Sequence, residues 1–398
     1  MDSVEIITKN ECFSCRACEQ ICPTNCICME KDSEGFLYPH VDTTLCTSCG
    51  VCLLHCPAHI PLKHLQDYSK LFYGVKLQNK KLLQESSSGG LFGGLAEHIL
   101  NQGGIVFGAA YDEKLSVHHI SVSNMEQLYK LKGSKYVASD TESTFSQVKE
   151  LLKKGLPVLY TGSPCQIDGL RCFLGREPEN LFTADIICHG VPSQKLFDRY
   201  IEWLSKRFKE PVLYYGFRDK DVGGWTCGGK TKTKTKTKTV NGAVDPYYSS
   251  FMRGETYRHS CYSCPYTSVK NRPADITMGD FWGVEFLYPQ FNRKDGVSCC
   301  VVNTAKGQKI FDSVKDKFEY IEVSEDSICR YNEQLKYPTH KPKKRTSIYE
   351  GIDTLPLNTF IAKLYASYPV RVKRFIISLM PTNTKIFIKR ILQNKGKS

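Results

Sequence analysis

Two identical cysteine patterns lie close together near the N-terminus. Each reads C-x-x-C-x-x-C-x-x-x-C-P, the spacing with which bacterial ferredoxins bind two 4Fe–4S clusters. In that arrangement three closely spaced thiolates bind one cluster, and the fourth, beside the proline, binds the other. The pattern therefore predicts one cluster on Cys12, Cys15, Cys18 and Cys56, and a second on Cys46, Cys49, Cys52 and Cys22.

Zinc is the main alternative ligand for such cysteines, because zinc sites also use C-x-x-C pairs. A tetrahedral zinc site needs only two pairs and has no use for the third cysteine or the proline. The duplicated, complete pattern favours iron–sulfur clusters. Cys26 and Cys28 lie outside the pattern, and we interpret them as small buried thiols.

The composition is that of a globular chain in a reducing compartment. The 398 residues include 19 cysteines, yet the first ten residues contain acidic side chains and no apolar segment typical of a signal peptide. No apolar stretch approaches the length of a membrane span. We therefore expect a cytoplasmic protein.

The net charge of +13 favours acidic partners. No nucleic-acid-binding motif accompanies this charge, so we expect no nucleic-acid partner.

Buried strands alternate with helices after residue 86. We predict strands at 105–110, 156–160 and 181–187, and helices that begin after Gly90, at 146–154, at 167–173 and after Ser193. Ser86 to Ser88 suggest a serine cap for the first of these helices. The fold class is thus an α+β dicluster ferredoxin-like domain followed by an α/β core with a largely parallel or mixed sheet. In such sheets, ligands bind beyond the carboxyl ends of the strands.

Four further cysteines could form a site in this core. Cys261 and Cys264 are a C-x-x-C pair, while Cys165 and Cys188 each follow a predicted strand. Four thiolates suit a 4Fe–4S cluster and zinc equally well, and a redox-active C-x-x-C pair is a third possibility.

Six ordered motifs between residues 86 and 283 resemble those of the family of coenzyme F420 hydrogenase/dehydrogenase beta subunits. They are Ser-Ser-Ser-Gly-Gly at 86–90, Gly-Ser-Lys-Tyr at 133–136, Gly-Ser-Pro-Cys-Gln-Ile at 162–167, Cys-His-Gly-Val-Pro-Ser at 188–193, Cys-Tyr-Ser-Cys-Pro at 261–265 and Ala-Asp-Ile-Thr-Met-Gly-Asp-Phe-Trp-Gly at 274–283. A fused N-terminal dicluster ferredoxin is also common in that family.

The resemblance implies an iron–sulfur flavoprotein. It places a third 4Fe–4S cluster on Cys165, Cys188, Cys261 and Cys264, and it implies bound FAD. The serine–glycine segment offers backbone N–H groups to a phosphate, and His189 is the candidate proton-transfer residue, with a supporting role beside the cluster as its alternative. The candidate flavin contacts are Ser88, Gly89, Gly90, Lys135, Tyr136, Gly162, Ser163 and Gln166.

We predict a ferredoxin-like domain at 1–60, a connector with a helical leucine pattern at 61–85, a core at 86–345 divided near residue 160, and a basic tail at 346–398.

Lysine and threonine alternate strictly over 230–239. In a strand this puts the lysines on one face, as in an exposed edge strand or hairpin; a basic wall beside a polyanionic ligand is the alternative. The tail is either a terminal helix or a basic segment that touches a membrane surface.

Two functions follow from these residues. The first is an oxidoreductase that moves electrons between the ferredoxin clusters, the core cluster and FAD, with hydride exchange to a two-electron carrier or a small, even sugar-related, acceptor. The second is an electron-transfer subunit that relays electrons to a partner enzyme without a substrate site of its own. Both require a protein that donates or accepts electrons.

Overall fold

The computed structural model describes residues 3–60, 68–222, 224–225, 228–291, 295–380 and 384. The ferredoxin-like part contains α1 (Ala17–Ile21), β1 (Ile27–Lys31), β2 (Leu37–Val41) and α2 (Val51–Leu54), and β1 pairs with β2 in an antiparallel ribbon. Such a small unit has little core of its own. Its short helices each begin immediately after a residue with positive φ, Arg16 and Gly50, within the two cysteine loops.

The core is built on one mixed sheet of eight strands in the order β13-β3-β12-β11-β7-β6-β4-β5. The four neighbouring strands β11, β7, β6 and β4 run parallel, and antiparallel strands flank them on both sides. This confirms the predicted fold class. The strands are β3 (Leu71–Leu77), β4 (Ile105–Tyr111), β5 (Val117–Val122), β6 (Val158–Gly162), β7 (Leu181–Ile186), β11 (Ile276–Asp280), β12 (Ser298–Val302) and β13 (Phe318–Glu322).

Helices connect and cover these strands. Those between β3 and β11 are α3 (Lys80–Gln84), α4 (Leu91–Asn101), α5 (Thr144–Lys153), α6 (Pro164–Leu174), α7 (Gln194–Phe208) and α8 (Pro246–Met252). Those after β11 are α9 (Val284–Leu287), α10 (Ala305–Asp312), α11 (Glu325–Cys329), α12 (Lys344–Thr354), α13 (Leu357–Leu364) and α14 (Tyr368–Leu379). The predicted Ser193 cap of α7 is confirmed, since its hydroxyl accepts a hydrogen bond from the Leu196 N–H.

The predicted serine cap of α4 is wrong. Gly90 holds the cap position with φ +85°, a left-handed conformation that favours glycine, and no side chain caps the helix. The serine hydroxyls make other contacts, because Ser86 donates to the Leu82 carbonyl and Ser88 donates to the Val297 carbonyl. The segment therefore joins α3 to β12 rather than closing the end of a helix.

The predicted connector forms part of the core. Residues 61–67 lie outside the described residues, but Leu71–Leu77 is a strand inside the large sheet, paired with β12 and β13. The leucines that suggested a helix belong to two elements, since Leu71 lies in β3 and Leu82 in α3. The burial of Val75 between two neighbouring strands determined the conformation here more strongly than the leucine spacing did.

The lysine–threonine run forms a hairpin, as one alternative predicted, but its lysines do not share a face. Strands β9 (Gly228–Lys232) and β10 (Thr237–Asn241) pair antiparallel, and β8 (Tyr214–Gly216) joins β9. The register places Lys232 opposite Thr237 and Lys238 opposite Thr231. Residues that pair directly across a hairpin project from the same face. Each lysine of the two strands pairs with a threonine, so Lys230 and Lys232 lie on one face of the hairpin and Lys238 lies on the other.

The first part of the predicted tail belongs to the core. Helices α12 and α13 bury Ile348, Ile352, Phe360 and Leu364 against the aromatic cluster around α7 and α8. Helix α14, by contrast, has no buried residue. Residues 381–383 and 385–398 of the predicted tail lie outside the described residues.

Ion pairs attach the ferredoxin-like part to the core. Arg16, beside the first cysteine loop, pairs with Asp140, and Glu34 pairs with Arg345 of α12. The Arg345 side chain is only 1% exposed, so this second pair is inside the interface. Within the part of the chain that the structure describes, no helix is long and apolar enough to cross a membrane.

Candidate functional site

The first predicted cluster site is assembled in the fold with its crossed ligand. Cys56, from the second cysteine pattern, lines one small cavity together with the three cysteines of the first pattern, Cys12, Cys15 and Cys18. Burial raises the pKa of the Cys18 thiol, and the negative charges of Cys12 and Cys56 raise it further. Buried thiols that share a cavity are stable as thiolates only beside a cationic centre, which a 4Fe–4S cluster provides.

The second predicted site is also assembled in part. Burial raises the pKa of Cys52, and the charge of Cys22, from the first pattern, contributes to this rise. Cys26 lies beside this site, with its sulfur 3.4 Å from the sulfur of Cys22. Cys26 is buried, as predicted, whereas Cys28 is exposed, so the interpretation of Cys28 as a buried thiol is wrong. The side chain of Cys28 faces solvent because it lies on the open face of the β1–β2 ribbon.

The core cysteines gather at one edge of the large sheet. The parallel strands β6 and β7 end just before Cys165 and Cys188, and the carboxyl ends of neighbouring parallel strands meet at one edge. A short 3₁₀ helix, His259–Ser263, brings Cys261 and then Cys264 to the same place. All four cysteines line a single cavity of about 570 Å³.

These four thiols act on one another electrostatically. Burial raises the pKa of Cys188, Cys261 and Cys264 to about 12, and for each of them the charges of other members of the set contribute. Cys165 lies in the first turn of helix α6, and the Ser163 hydroxyl lies 3.2 Å from its sulfur. The donor set fits a 4Fe–4S cluster, since cationic iron favours thiolates where burial disfavours them. Among the described residues, no three His, Cys, Asp or Glu side chains lie close enough to hold a single metal ion.

The same cavity collects nearly all of the candidate flavin contacts. Seven of the eight line its wall, namely Ser88, Gly90, Lys135, Tyr136, Gly162, Ser163 and Gln166. The eighth, Gly89, packs instead against the sheet, where a Cβ atom would lie 2.3 Å from the backbone of Val75 and Ser298. Residues 86–90 and 133–136 meet directly, because the Ser134 N–H donates to the Ser87 hydroxyl at 3.0 Å.

Several of these candidates already have hydrogen-bond partners in the protein. The Gln166 side-chain carbonyl accepts from the Ser163 N–H at 2.9 Å, and its amide donates to the Ser139 carbonyl at 2.9 Å. Gln166 therefore shapes the start of α6. The Lys135 ammonium donates to the Lys132 carbonyl at 3.0 Å, and burial lowers its pKa to about 7.

Aromatic rings form the far wall of the cavity. Tyr136 stacks on Phe251, with ring centroids 4.4 Å apart, and His189 lies 6.3 Å from the same phenylalanine. Burial lowers the pKa of His189, while Asp280 opposes that change. The imidazole is therefore neutral near pH 7, with one nitrogen able to accept a hydrogen bond and the other able to donate one.

A buried arginine links the first cluster site to the core cysteines. Arg258 donates from Nε to the Cys12 carbonyl at 2.9 Å, and the Ser260 hydroxyl donates to the same carbonyl at 3.0 Å. The positive charge of Arg258 also acts to lower the pKa of both Cys165 and Cys261. The cation thus binds the backbone of the first cysteine set and stabilises the charged form of two thiols of the core set.

Sequence reasoning missed Arg258 and a second cation, Arg218, that lines the cavity. The Arg218 guanidinium pairs with Asp280, the last residue of β11. Asp280 also accepts from the Trp225 indole N–H at 2.7 Å. The motif at 274–283 contains Asp280 and Trp282, but no spacing in the sequence connects either of them to Arg218.

Comparison with known proteins gives two family matches. Residues 156–327 match the family described as the C terminus of the coenzyme F420 hydrogenase/dehydrogenase beta subunit, and residues 11–60 match the 4Fe-4S dicluster domain. The chain is 24% identical over 333 residues to the F subunit of F(420)H(2) dehydrogenase from Methanosarcina mazei, which covers 80% of this chain and 86% of that protein.

One further relative and one solved structure are also similar to this chain. Coenzyme F420-dependent sulfite reductase of Methanocaldococcus jannaschii is 28% identical over 172 residues, which is 42% of this chain and only 26% of that protein. A chain of the F420-reducing [NiFe] hydrogenase complex from Methanosarcina barkeri is 19% identical, with a TM-score of 0.46 over 75% of this chain and 97% of the other.

The fold and the cysteine sites together define an iron–sulfur electron-transfer protein of the oxidoreductase class. Its N-terminal part is a 4Fe–4S dicluster domain. Over residues 156–327 the chain matches the family of coenzyme F420 hydrogenase/dehydrogenase beta subunits, the family that its ordered motifs resemble.

Proposed function

We propose that this protein is an iron–sulfur flavoprotein oxidoreductase of the cytoplasm. Electrons pass between the two ferredoxin-type clusters, a third 4Fe–4S cluster on Cys165, Cys188, Cys261 and Cys264, and FAD, which exchanges a hydride with a two-electron carrier or a small acceptor. The direction of flow depends on the partner protein and the acceptor.

One observation carries this proposal: the four core cysteines and seven candidate flavin contacts line the same cavity. A second observation supports the order of electron transfer. The Cys12 backbone, at the first cluster site, accepts hydrogen bonds from Arg258 and Ser260, which precede Cys261. The first ferredoxin cluster would therefore lie next to the core cluster, and the second cluster farther out.

The residues of the chain have distinct tasks in this proposal. The loops 86–90 and 133–136 would hold the phosphates, with Lys135 as the nearby cation. When bound, a flavin supplies the conversion between one-electron and two-electron transfer. His189 lies beside Cys188 on the cavity wall and is neutral near pH 7, so it is suited to take up a proton released in the two-electron step and to return it when the step reverses.

A relay without a substrate site is the alternative function. It is favoured by the similarity to a protein that is itself named as one subunit of a dehydrogenase. A pure relay needs neither flavin nor a small-molecule acceptor. Turnover of a dissolved two-electron acceptor by the isolated chain would therefore contradict it, and the absence of such turnover in a protein that holds three clusters would support it.

The cysteine variants Cys165→Ser and Cys264→Ser test the core cluster. We expect each to lose one cluster of three, to uncouple flavin reduction from the ferredoxin clusters, and to leave those clusters reducible in electron paramagnetic resonance spectra. Cys28→Ser is the matched control, because Cys28 is exposed and lies outside all three ligand sets. Unchanged iron content and unchanged flavin reduction in the two core variants would overturn the assignment.

A further inference from the structure

Arg218 is a buried cation in the wall of the central cavity. Its side chain is 6% exposed, and Nη1 donates to the Asp280 carboxylate. The other terminal nitrogen, Nη2, has no hydrogen-bond partner in the described structure. Buried donors of a charged group are nearly always paired, so an unpaired one on the wall of a ligand cavity indicates a missing acceptor.

The guanidinium is held firmly in place. Asp280 fixes one edge of it, and the ring of Trp282, also on the cavity wall, lies 5.6 Å from its central carbon. Trp282 in turn stacks on Trp225 at 5.0 Å with the ring planes 7° apart. Because the Trp225 indole donates to Asp280, the carboxylate, the two indoles and the arginine form one fixed assembly.

Three members of this assembly, Arg218, Asp280 and Trp282, line the cavity of the core cysteines. His189 and Tyr136 line the same cavity. His189 directly follows Cys188 of the core cysteine set. Arg218 therefore shares the cavity wall with the proposed proton-transfer residue, and Lys220, whose ammonium donates to the Ser88 carbonyl at 2.7 Å, contacts the segment 86–90.

We propose that Arg218 binds an anionic oxygen group, such as a carboxylate, phosphate or sulfonate, on the small two-electron substrate. A guanidinium presents a planar pair of donors that matches the oxygens of such a group, and fixing it in advance lowers the cost of binding. Asp280 accepts from Nη1 only, so Nη2 remains a donor that such an anionic group can use. This inference rests on the proposed function, because it assumes that the cavity admits a substrate.

A pair of probes that differ in one anionic group tests the proposal. Binding of a naphthoquinone sulfonate and of the same naphthoquinone without the sulfonate would be measured by titration calorimetry on the oxidised holoprotein. We expect the wild-type protein to prefer the sulfonate. Arg218→Gln should weaken sulfonate binding about tenfold or more and change binding of the neutral quinone less than about twofold.

Two further variants separate recognition from damage to the fold. Arg218→Lys keeps a positive charge beside Asp280 but lacks the planar fork, so its sulfonate affinity should lie between those of wild type and Arg218→Gln. Arg330→Gln is the matched control, because Arg330 is exposed and pairs with Asp326 on α11. Flavin per chain and the melting temperature should stay unchanged in Arg218→Lys.

The outcomes separate this inference from the proposed function. Equal affinity of the wild-type protein for both probes, or equal loss of both in Arg218→Gln, would overturn the role of Arg218. Loss of flavin from both Arg218 variants would overturn it as well, because the cation would then hold the cofactor. A wild-type protein that lacks flavin but prefers the sulfonate through Arg218 would support the anion site and contradict the proposed function.

Discussion

The Ser260 hydroxyl donates a 3.0 Å hydrogen bond to the backbone carbonyl of Cys12. These two residues are 248 positions apart, and each is next to or within a different set of thiols. The contact therefore joins the ferredoxin-like part to the core at the place where electrons would cross between them. Burial of Ser260 keeps water out of this contact.

Arg258 should raise the reduction potentials of the clusters on both sides of it. A positive charge favours the reduced, more negative state of a cluster, and burial strengthens the effect. We expect Arg258→Gln to shift the potentials of the first ferredoxin cluster and the core cluster downward by tens of millivolts, as measured by redox titration with paramagnetic resonance detection. The second ferredoxin cluster is the internal control, and an equal shift in all three would contradict the assignment.

Gly169 should be needed for the first cluster to bind. A Cβ atom at this position of α6 would lie 2.6 Å from the Cβ of Cys15 and 2.8 Å from its sulfur. Gly169→Ala should therefore displace Cys15 and reduce the iron content by about one cluster. Gly93→Ala is the control in α4, where the nearest atom would be 4.0 Å away. Full iron content in Gly169→Ala would show that the contact is dispensable.

The buried pair of Glu34 and Arg345 should fasten the ferredoxin-like part to the core. Glu34→Gln leaves Arg345 charged and only 1% exposed, without its carboxylate partner. Loss of one partner of a buried pair costs about 3 kcal/mol, so the melting temperature should fall clearly. Glu150→Gln removes an exposed pair with Lys153 and should have almost no effect. Similar melting temperatures for the two variants would contradict a fastening role.

Flavin binding should depend on pH through Lys135. A lysine whose pKa is about 7 carries its charge below that pH and loses it above. If the ammonium holds a phosphate, the dissociation constant of FAD should rise about tenfold between pH 6 and pH 8. Lys135→Gln should bind FAD weakly at both values, while Lys135→Arg, which stays charged, should bind with little pH dependence. Fluorescence of the released flavin measures this, and a wild-type affinity independent of pH would contradict the role.

Features set by short spacing were predictable from the sequence. The position of Cys56 beside the first cysteine set and the positions of Cys165 and Cys188 after parallel strands both agree with local patterns, because each pattern fixes which loop or strand end carries the thiol. The outline of the site therefore follows from motifs alone, and family similarity agrees with it.

Features that join distant segments were not predictable. Arg258 and Arg218 act on cysteines and carboxylates contributed by other parts of the chain, and no periodicity links them. The leucines around residue 71 suggested a helix because β3 is apolar along most of its length and has no polar alternation to reveal a strand. The length of the loop in the 228–241 hairpin decides which lysines share a face. The strict lysine–threonine alternation does not specify that length.

The central claim is that a third cluster and a flavin share the cavity in the core. The most direct test is to purify the wild-type protein without oxygen and to measure iron, acid-labile sulfide and extractable flavin per chain. Three 4Fe–4S clusters predict about 12 iron atoms per chain, accompanied by one FAD. A value of about 8 iron atoms with no flavin would contradict the claim, because only the dicluster domain would then carry cofactors.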